Sequence, residues 1–220
     1  MFLVKSIEKK HKQSFLNGNI HFTNYKKFRE IEKERIGDPQ EVKISKTLNK
    51  KNDIIINNEI KTTTNEIEIN LEPNFTVPMK IDCYSLIDDK YINIKYSESN
   101  IKSVNLSSEY FKDLEKLEDD RAILICTNGR EFLKRLQKNT NSNIKAEKVK
   151  YYKHNEHPFF KDINKMSFKQ KNQAAIKSLF LKNQKYEKQK EYRIVAINLE
   201  DDFIKNVQLN DIFIDLTDKF

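Results

Sequence analysis

The stretch Lys185-Tyr186-Glu187-Lys188-Gln189-Lys190-Glu191-Tyr192-Arg193-Ile194-Val195 decides how the chain is read. Lysines, two glutamates and a glutamine run directly into Tyr192-Arg193-Ile194-Val195, a β-branched and aromatic segment that predicts a strand. A lysine-rich approach to a strand is ordinarily a solvated lead-in. The alternative is that Gln189 and Glu191, two residues apart on an extended segment, face one side and line the rim of a site. Most of what can be expected of function turns on that choice.

Working outward, the chain has 220 residues, which fits one domain with a real core, although only 37% of residues are hydrophobic and 34% are charged. The formal net charge is +8, nearly all from lysine, with arginine only at 29, 35, 121, 130, 135 and 193. Lys, Asn and Ile dominate throughout, which fits an AT-rich genome as well as any function. A lysine-rich surface attracts phosphate weakly and without sequence preference, and it lacks the arginine clusters that grip phosphate bidentately. Two cysteines, Cys83 and Cys126, sit in apolar runs and are too few for a disulfide framework; buried core positions suit them better than reactive thiols. No apolar stretch approaches the ~20 residues of a membrane span, and none resembles a signal peptide. A cytoplasmic protein without a membrane partner is expected.

Along the chain, Phe2-Leu3-Val4 starts a strand, Glu8 to Leu16 forms a polar helix stopped at Gly18, and Ile20-His21-Phe22 is a short strand. Thr23 or Asn24 caps a helix over Tyr25 to Arg35, and 36–41 is a breaker. Alternation from Val42 to Leu71 predicts hairpins, with Asn57-Asn58 as a two-residue turn. Strands follow over Met79 to Leu86 and Tyr91 to Tyr96. Ser107 caps a helix over Glu109 to Leu117. The continuous apolar run Ala122 to Cys126 predicts a central strand, and a helix carrying Glu131 to Leu136 opens near Asn128. Val149 to Tyr152 is a strand, Ser167 caps a helix reaching about Leu181, and Tyr192 to Ile197 and Ile212 to Ile214 are strands. The expected fold is a single α+β domain over 1–220, mainly antiparallel sheets with flanking helices.

Three chemistries have weak support. His154 and His157, with Glu156 and Asp162 nearby, have a spacing that can bind zinc, but no HExxH and no cysteine pair completes a site. Asp38, Glu41 and Lys43 recombine the residue types of a metal-dependent nuclease, yet three residues of separation inside a proline turn is poor geometry for two carboxylates on one metal. Three glycines in the chain rule out a glycine-rich phosphate cradle, and no GxSxG is present.

Other residues carry a resemblance. Ile81-Asp82-Cys83-Tyr84-Ser85, then Ile125 followed by Glu131-Phe132-Leu133-Lys134-Arg135-Leu136, then Phe180, Lys182, Tyr186, Gln189, Glu191, Tyr192 and Arg193 occur in this order. The ordering resembles a widespread bacterial family of unknown function with a C-terminal F-x-K motif running into [EQ]-x-E-[YW]-R. That family itself is similar to the ADP-ribosyltransferase fold. The absence of tryptophan departs from its pattern. The resemblance implies NAD as cofactor, Phe22-Thr23 as the aromatic and hydroxyl of the second strand, and Gln189 and Glu191 as the catalytic pair. The first strand departs again, because Phe2 to Ile7 holds Lys5 and neither Arg nor His.

On that resemblance Glu191 would stabilise the oxocarbenium-like ribose formed when nicotinamide leaves, and Gln189 would orient the acceptor. Lys5 and Arg193 would hold the pyrophosphate, and Phe22 or Tyr25 would stack on nicotinamide. The leading expectation is therefore an NAD-dependent ADP-ribosyltransferase-like enzyme, with a toxin or phage-defence effector as its setting and a protein or nucleic acid as acceptor. Two alternatives stay open. One is a non-catalytic module that engages nucleic acid or an acidic protein through the basic segment 165–193, where Phe168, Phe180, Tyr186 and Tyr192 are interleaved with lysines. The other is a metal-dependent nuclease using Asp38, Glu41 and the His154 loop. A plain structural role for Gln189 and Glu191 would be a strand-entry ion pair with Arg193.

Overall fold

The computed structural model describes residues 1–27, 44–48, 53–56, 59–62, 67–71, 75, 77–87, 91–97, 100–107, 120–153, 157–159 and 165–217. In chain order the elements are β1 (Phe2–Glu8), α1 (Lys9–Leu16), β2 (Ile20–His21), β3 (Thr23–Asn24), β4 (Ile44–Leu48), β5 (Asp53–Ile56), β6 (Glu59–Thr62), β7 (Ile67–Leu71) and β8 (Met79–Ile87). They continue as β9 (Ile92–Ser97), β10 (Asn100–Leu106), β11 (Arg121–Cys126), α2 (Gly129–Lys138), β12 (Asn143–Lys148), β13 (Lys150–Tyr152) and α3 (Phe168–Ser178). The last are β14 (Leu181–Asn183), a 3-10 segment at Gln184–Gln189, β15 (Glu191–Ile197), β16 (Phe203–Ile204) and β17 (Phe213–Asp215). The fold is mixed α+β with mainly antiparallel sheet, as expected, and few helices among the described residues.

The stretch read as one domain groups into two compact units: Met1–Thr23, Met79–Lys148 and Gln189–Phe220 form the first, and Asn24–Pro78 and Val149–Lys188 the second. The chain passes between them four times, so no linker marks the division in the sequence.

In the first unit the central sheet runs β12-β15-β8-β1-β11-β17, every neighbouring pair antiparallel. The apolar run of β11 lies between β1 and β17 and is buried on both faces, which is why it shows no alternation. Leu124 and Cys126 join one core with Leu3, Tyr84, Ile194, Phe132 and Phe213. Ile123 and Ile125 join Val4, Ile87 and Ile92 on the other side. α1 adds Phe15, edge-on to Phe213 at 5.1 Å. α2 adds Phe132 and Leu136, and Asn128 starts it by accepting a hydrogen bond from the Glu131 N–H at 3.1 Å. Gly18 ends α1 at φ +84, where an added Cβ would lie 2.2 Å from the Val207 carbonyl oxygen. Glycine is thus required there by backbone conformation and by close approach.

The second unit holds the expected hairpins. β5 pairs with β6 with Ile56 opposite Glu59, leaving two residues to connect them, and β4 pairs with β7. α3 begins with a capping box of Ser167 and Gln170. It ends at Ser178 rather than near Leu181, because residues 181–183 leave the helix to pair in parallel with β13. The Lys150 N–H donates to the Phe180 carbonyl at 2.9 Å at that junction. Of the helix expected over Tyr25 to Arg35 only residues up to Lys27 are described, and the helix expected after Ser107 lies outside the described residues.

Candidate functional site

The lysine-rich lead-in at 185–190 is not extended. Gln189 closes the 3-10 segment, and Lys190 then takes a left-handed conformation at φ 45 before β15 starts at Glu191. The expectation that Gln189 and Glu191 share a strand face is therefore corrected: the alternation that places i and i+2 together holds only within a strand. Lys190 is anchored, since its carbonyl accepts from the Leu86 N–H at 2.8 Å and its Nζ lies 4.6 Å from the Tyr91 ring centre.

Within β15 the expected spacing does work for Glu191 and Arg193. Arg193 Nε donates to Glu191 Oε1 at 2.5 Å. The structural alternative, a strand-entry ion pair, is met in a buried form: Glu191 is 6% exposed and Arg193 1%. Both charges are buried and hold each other. In the register with β8, Glu191 lies opposite Ser85 and Arg193 opposite Cys83, so these four share one face. Tyr192 lies opposite Tyr84 and Ile194 opposite Asp82, on the other face.

Lys5 belongs to that other face. Its Nζ donates to Asp82 Oδ1 and, at 3.1 Å, to the Cys83 carbonyl, and lies 4.7 Å from the Tyr84 ring centre. Tyr84 donates its hydroxyl to Asp82 Oδ2 at 2.6 Å. Asp82 is 3% exposed, so lysine, carboxylate and phenol form one buried network. Burial and the neighbouring Asp82 charge hold the Tyr84 phenol well above its ordinary pKa, keeping it protonated as the donor. Phe22 is fully buried in the same core as Tyr84 and Ile194. Thr23 is half-buried, with Oγ1 3.5 Å from His21 Nδ1. Tyr25 lies in the second unit, where its ring meets Phe75 edge-on at 5.1 Å.

The pleat thus separates the residues that the resemblance would gather. Lys5 and Phe22 serve the core on one side of the sheet, and Glu191 and Arg193 lie on the other. A fully buried Phe22 has no face left for nicotinamide, and Lys5 is committed to Asp82. These residues do not fit together as an NAD site.

A scan of protein-family models, a search of curated proteins and a search of solved structures each returned no match. The site must be argued from its own chemistry.

Asp38, Glu41 and Lys43 lie outside the described residues, as do His154, Glu156 and Asp162. His157 is described, and it is a core residue: 3% exposed, between the rings of Tyr152 (5.0 Å) and Phe159 (5.6 Å). Its Nδ1 accepts from the Phe159 N–H at 3.3 Å, which requires a neutral ring, and burial lowers its pKa to about 4. Cys126 is buried, and burial raises its thiol to about 12, so it is inert.

The basic segment divides by exposure. Phe180, Tyr186 and Tyr192 are buried, and Tyr186 is flanked by Lys182 and Lys185 at 5.0 and 4.8 Å. Phe168 is 74% exposed, the most of any large hydrophobic among the described residues. Every residue from Ser167 to Gln173 is exposed, so the first half of α3 offers Phe168, Lys169 and Lys171 to solvent, with Lys165 just before it. Of the four aromatics expected on this surface only Phe168 is exposed, while Ala174, expected on the buried side from helical spacing, is buried together with Ser178.

Proposed function

We propose that the chain is a non-catalytic binding module that engages a single-stranded nucleic acid through the start of α3. The observation that carries this is Phe168, exposed at the first helical position and flanked by exposed Lys165, Lys169 and Lys171. An exposed aromatic provides a stacking face for any base, and lysines neutralise phosphates without reading sequence. Capping by Ser167 and Gln170 fixes the helix start and so holds Phe168 in place without requiring it in a core.

The test is fluorescence anisotropy with a labelled 12-nucleotide single strand across a salt series. Phe168→Ala is expected to weaken binding by about 1–3 kcal/mol at constant salt dependence. Lys169→Ala and Lys171→Ala together are expected to reduce the salt slope by about 1.4, two single-strand phosphates' worth. Binding that is absent, or that neither change affects, sinks the reading.

A second reading keeps ADP-ribosyl transfer from NAD on this α+β scaffold and rests on Glu191, a buried carboxylate at the entry of a central strand. Its other participants would have to be residues other than Lys5 and Phe22. NAD turnover abolished by Glu191→Gln at a temperature where circular dichroism shows the variant folded supports it, and the absence of NAD turnover in the unaltered chain removes it.

A further inference from the structure

A cleft of about 560 Å³ opens in the first unit, lined by none of Lys5, Phe22, Gln189, Glu191 and Arg193. Its walls are the turn after α2, residues 139–142, and the loop from Asn198 to Asn206 that joins β15 to β16 and runs past it. The volume lies within the 300–1,000 Å³ typical of small-molecule sites, but such sites are mostly apolar and this one is not.

Its polar groups are of a particular kind. Asn141, Asn198 and Asn206 are among the residues that line it, and each carries a side-chain amide. An amide both donates and accepts, which matches a hydroxyl that does the same. Glu200 and Asp201 add two carboxylates against the single ammonium of Lys205. The cleft is therefore locally acidic on a chain of net charge +8, which disfavours phosphate and other anions. The one large aromatic is Phe203, 40% exposed and held at 5.0 Å against His21.

The walls are fixed. Asn198 and Asn206 both sit in the left-handed region, at φ 64 and 61, which asparagine tolerates. The Asn198 carbonyl accepts from Ser142 Oγ at 3.1 Å, tying one wall to the other. Buried Lys80 donates to the Glu200 carbonyl and, at 2.9 Å, pairs with Asp202, while the Phe22 N–H donates to the Asp202 carbonyl at 2.7 Å. Behind Asn206, Val207 packs on Gly18 and donates to its carbonyl at 3.1 Å. Groups held this way need little ordering when a ligand arrives.

We infer that this cleft binds a neutral polyhydroxylated ligand of mono- or disaccharide size, with hydroxyls bound by the asparagine amides and carboxylates and an apolar ring face laid on Phe203. Hydroxyls accept from the amides and donate to Glu200 and Asp201. The C–H face of a pyranose covers the exposed part of Phe203 and recovers apolar contact that water cannot give. The site shares no residue with the α3 surface.

The test is saturation-transfer NMR on the full chain with methyl glycosides of glucose, galactose, mannose and N-acetylglucosamine, followed by titration of any that responds. At least one glycoside is expected to bind. Asn141→Ala, at an exposed position, is expected to weaken it at least fivefold, and Phe203→Ala at least tenfold, while Phe203→Tyr retains it. Lys169→Ala serves as a control and should leave it unchanged. No transfer to any glycoside overturns the inference, and so does binding that survives both Asn141→Ala and Phe203→Ala. Preference for glucose 6-phosphate over methyl glucoside would also overturn it, since it would mean that the carboxylates do not govern the cleft.

Discussion

The two faces of the central sheet each bury an ion pair, and they do so differently. On one face Lys5 of β1 meets Asp82 of β8, and Tyr84 donates to the same carboxylate. On the other, Glu191 and Arg193 are neighbours on a single strand, two residues apart. The first network ties two strands together and occupies both carboxylate oxygens, so it specifies how β1 lies against β8. The second links residues two apart on one strand, so their mutual contact by itself sets no register. Burying charge is costly in both places, and of the two contacts only Lys5–Asp82 itself joins one strand to another.

The largest effects should come from truncating and replacing these pairs. Asp82→Ala takes the counter-charge from Lys5 and the acceptor from Tyr84 together and is expected to cost about 5 kcal/mol; Glu191→Ala takes from Arg193 the carboxylate that its Nε donates to and should cost about 4 kcal/mol, both read from urea denaturation. Replacing each pair by apolar residues separates them further. Glu191→Leu with Arg193→Met should recover part of what Glu191→Ala loses, because no charge is left uncompensated, whereas Lys5→Met with Asp82→Leu should still lose about 1–3 kcal/mol through the unsatisfied Tyr84 hydroxyl. Equal recovery at both sites would break the contrast.

His157, buried with no opposite charge beside it among the described residues, offers a smaller, pH-dependent effect. Burial lowers His157 to about 4, below the ordinary value of 6.5. Its stabilising contribution is therefore complete above pH 6.5 and is lost as pH falls through 4, since the unfolded chain takes up the proton first. The loss is at most about 3 kcal/mol. His157→Phe should flatten the fall in melting temperature between pH 7 and pH 4.5 relative to the parent, and parallel curves would refute the account.

The smallest effect sharpens the comparison by removing burial. Lys10 and Glu8 are also two residues apart and pair at 2.5 Å, but their side chains are 68% and 40% exposed. Lys10→Ala should leave the denaturation midpoint unchanged within error, because water screens the charges and two long side chains must be ordered. A loss comparable to that of Glu191→Ala would show that geometry, not burial, sets the size of these effects.

Much of the architecture was legible. The apolar run of β11, the strands β8 and β15, the β5–β6 hairpin and the caps Asn128 and Ser167 all follow from local pattern and capping chemistry. Two local readings failed for one reason. Gln189 was placed on an extended lead-in, and residues 179–181 in a helix, yet a left-handed Lys190 and the parallel pairing of β14 with β13 intervene. Both involve backbone partners far along the chain, which no local pattern contains.

The candidate site shows the same division more sharply. Motif order named Lys5, Phe22, Gln189, Glu191 and Arg193 but carried no information on which side of a sheet each would face. Nothing near Asp82 in sequence announces Lys5 as its partner, 77 residues away. The cleft beside Asn198 was missed because its asparagines look like ordinary turn residues.

The sequence by itself determined the class of fold, the central strands and the exclusion of a glycine-rich phosphate cradle, since these depend on composition, periodicity and nearest neighbours. Only the tertiary structure decided that Glu191 and Arg193 are buried together, that Lys5 and Phe22 lie on the opposite face, and that Phe168 remains in solvent. The physical reason is that strand register sets the face of every side chain, and register comes from pairing between segments distant in the chain.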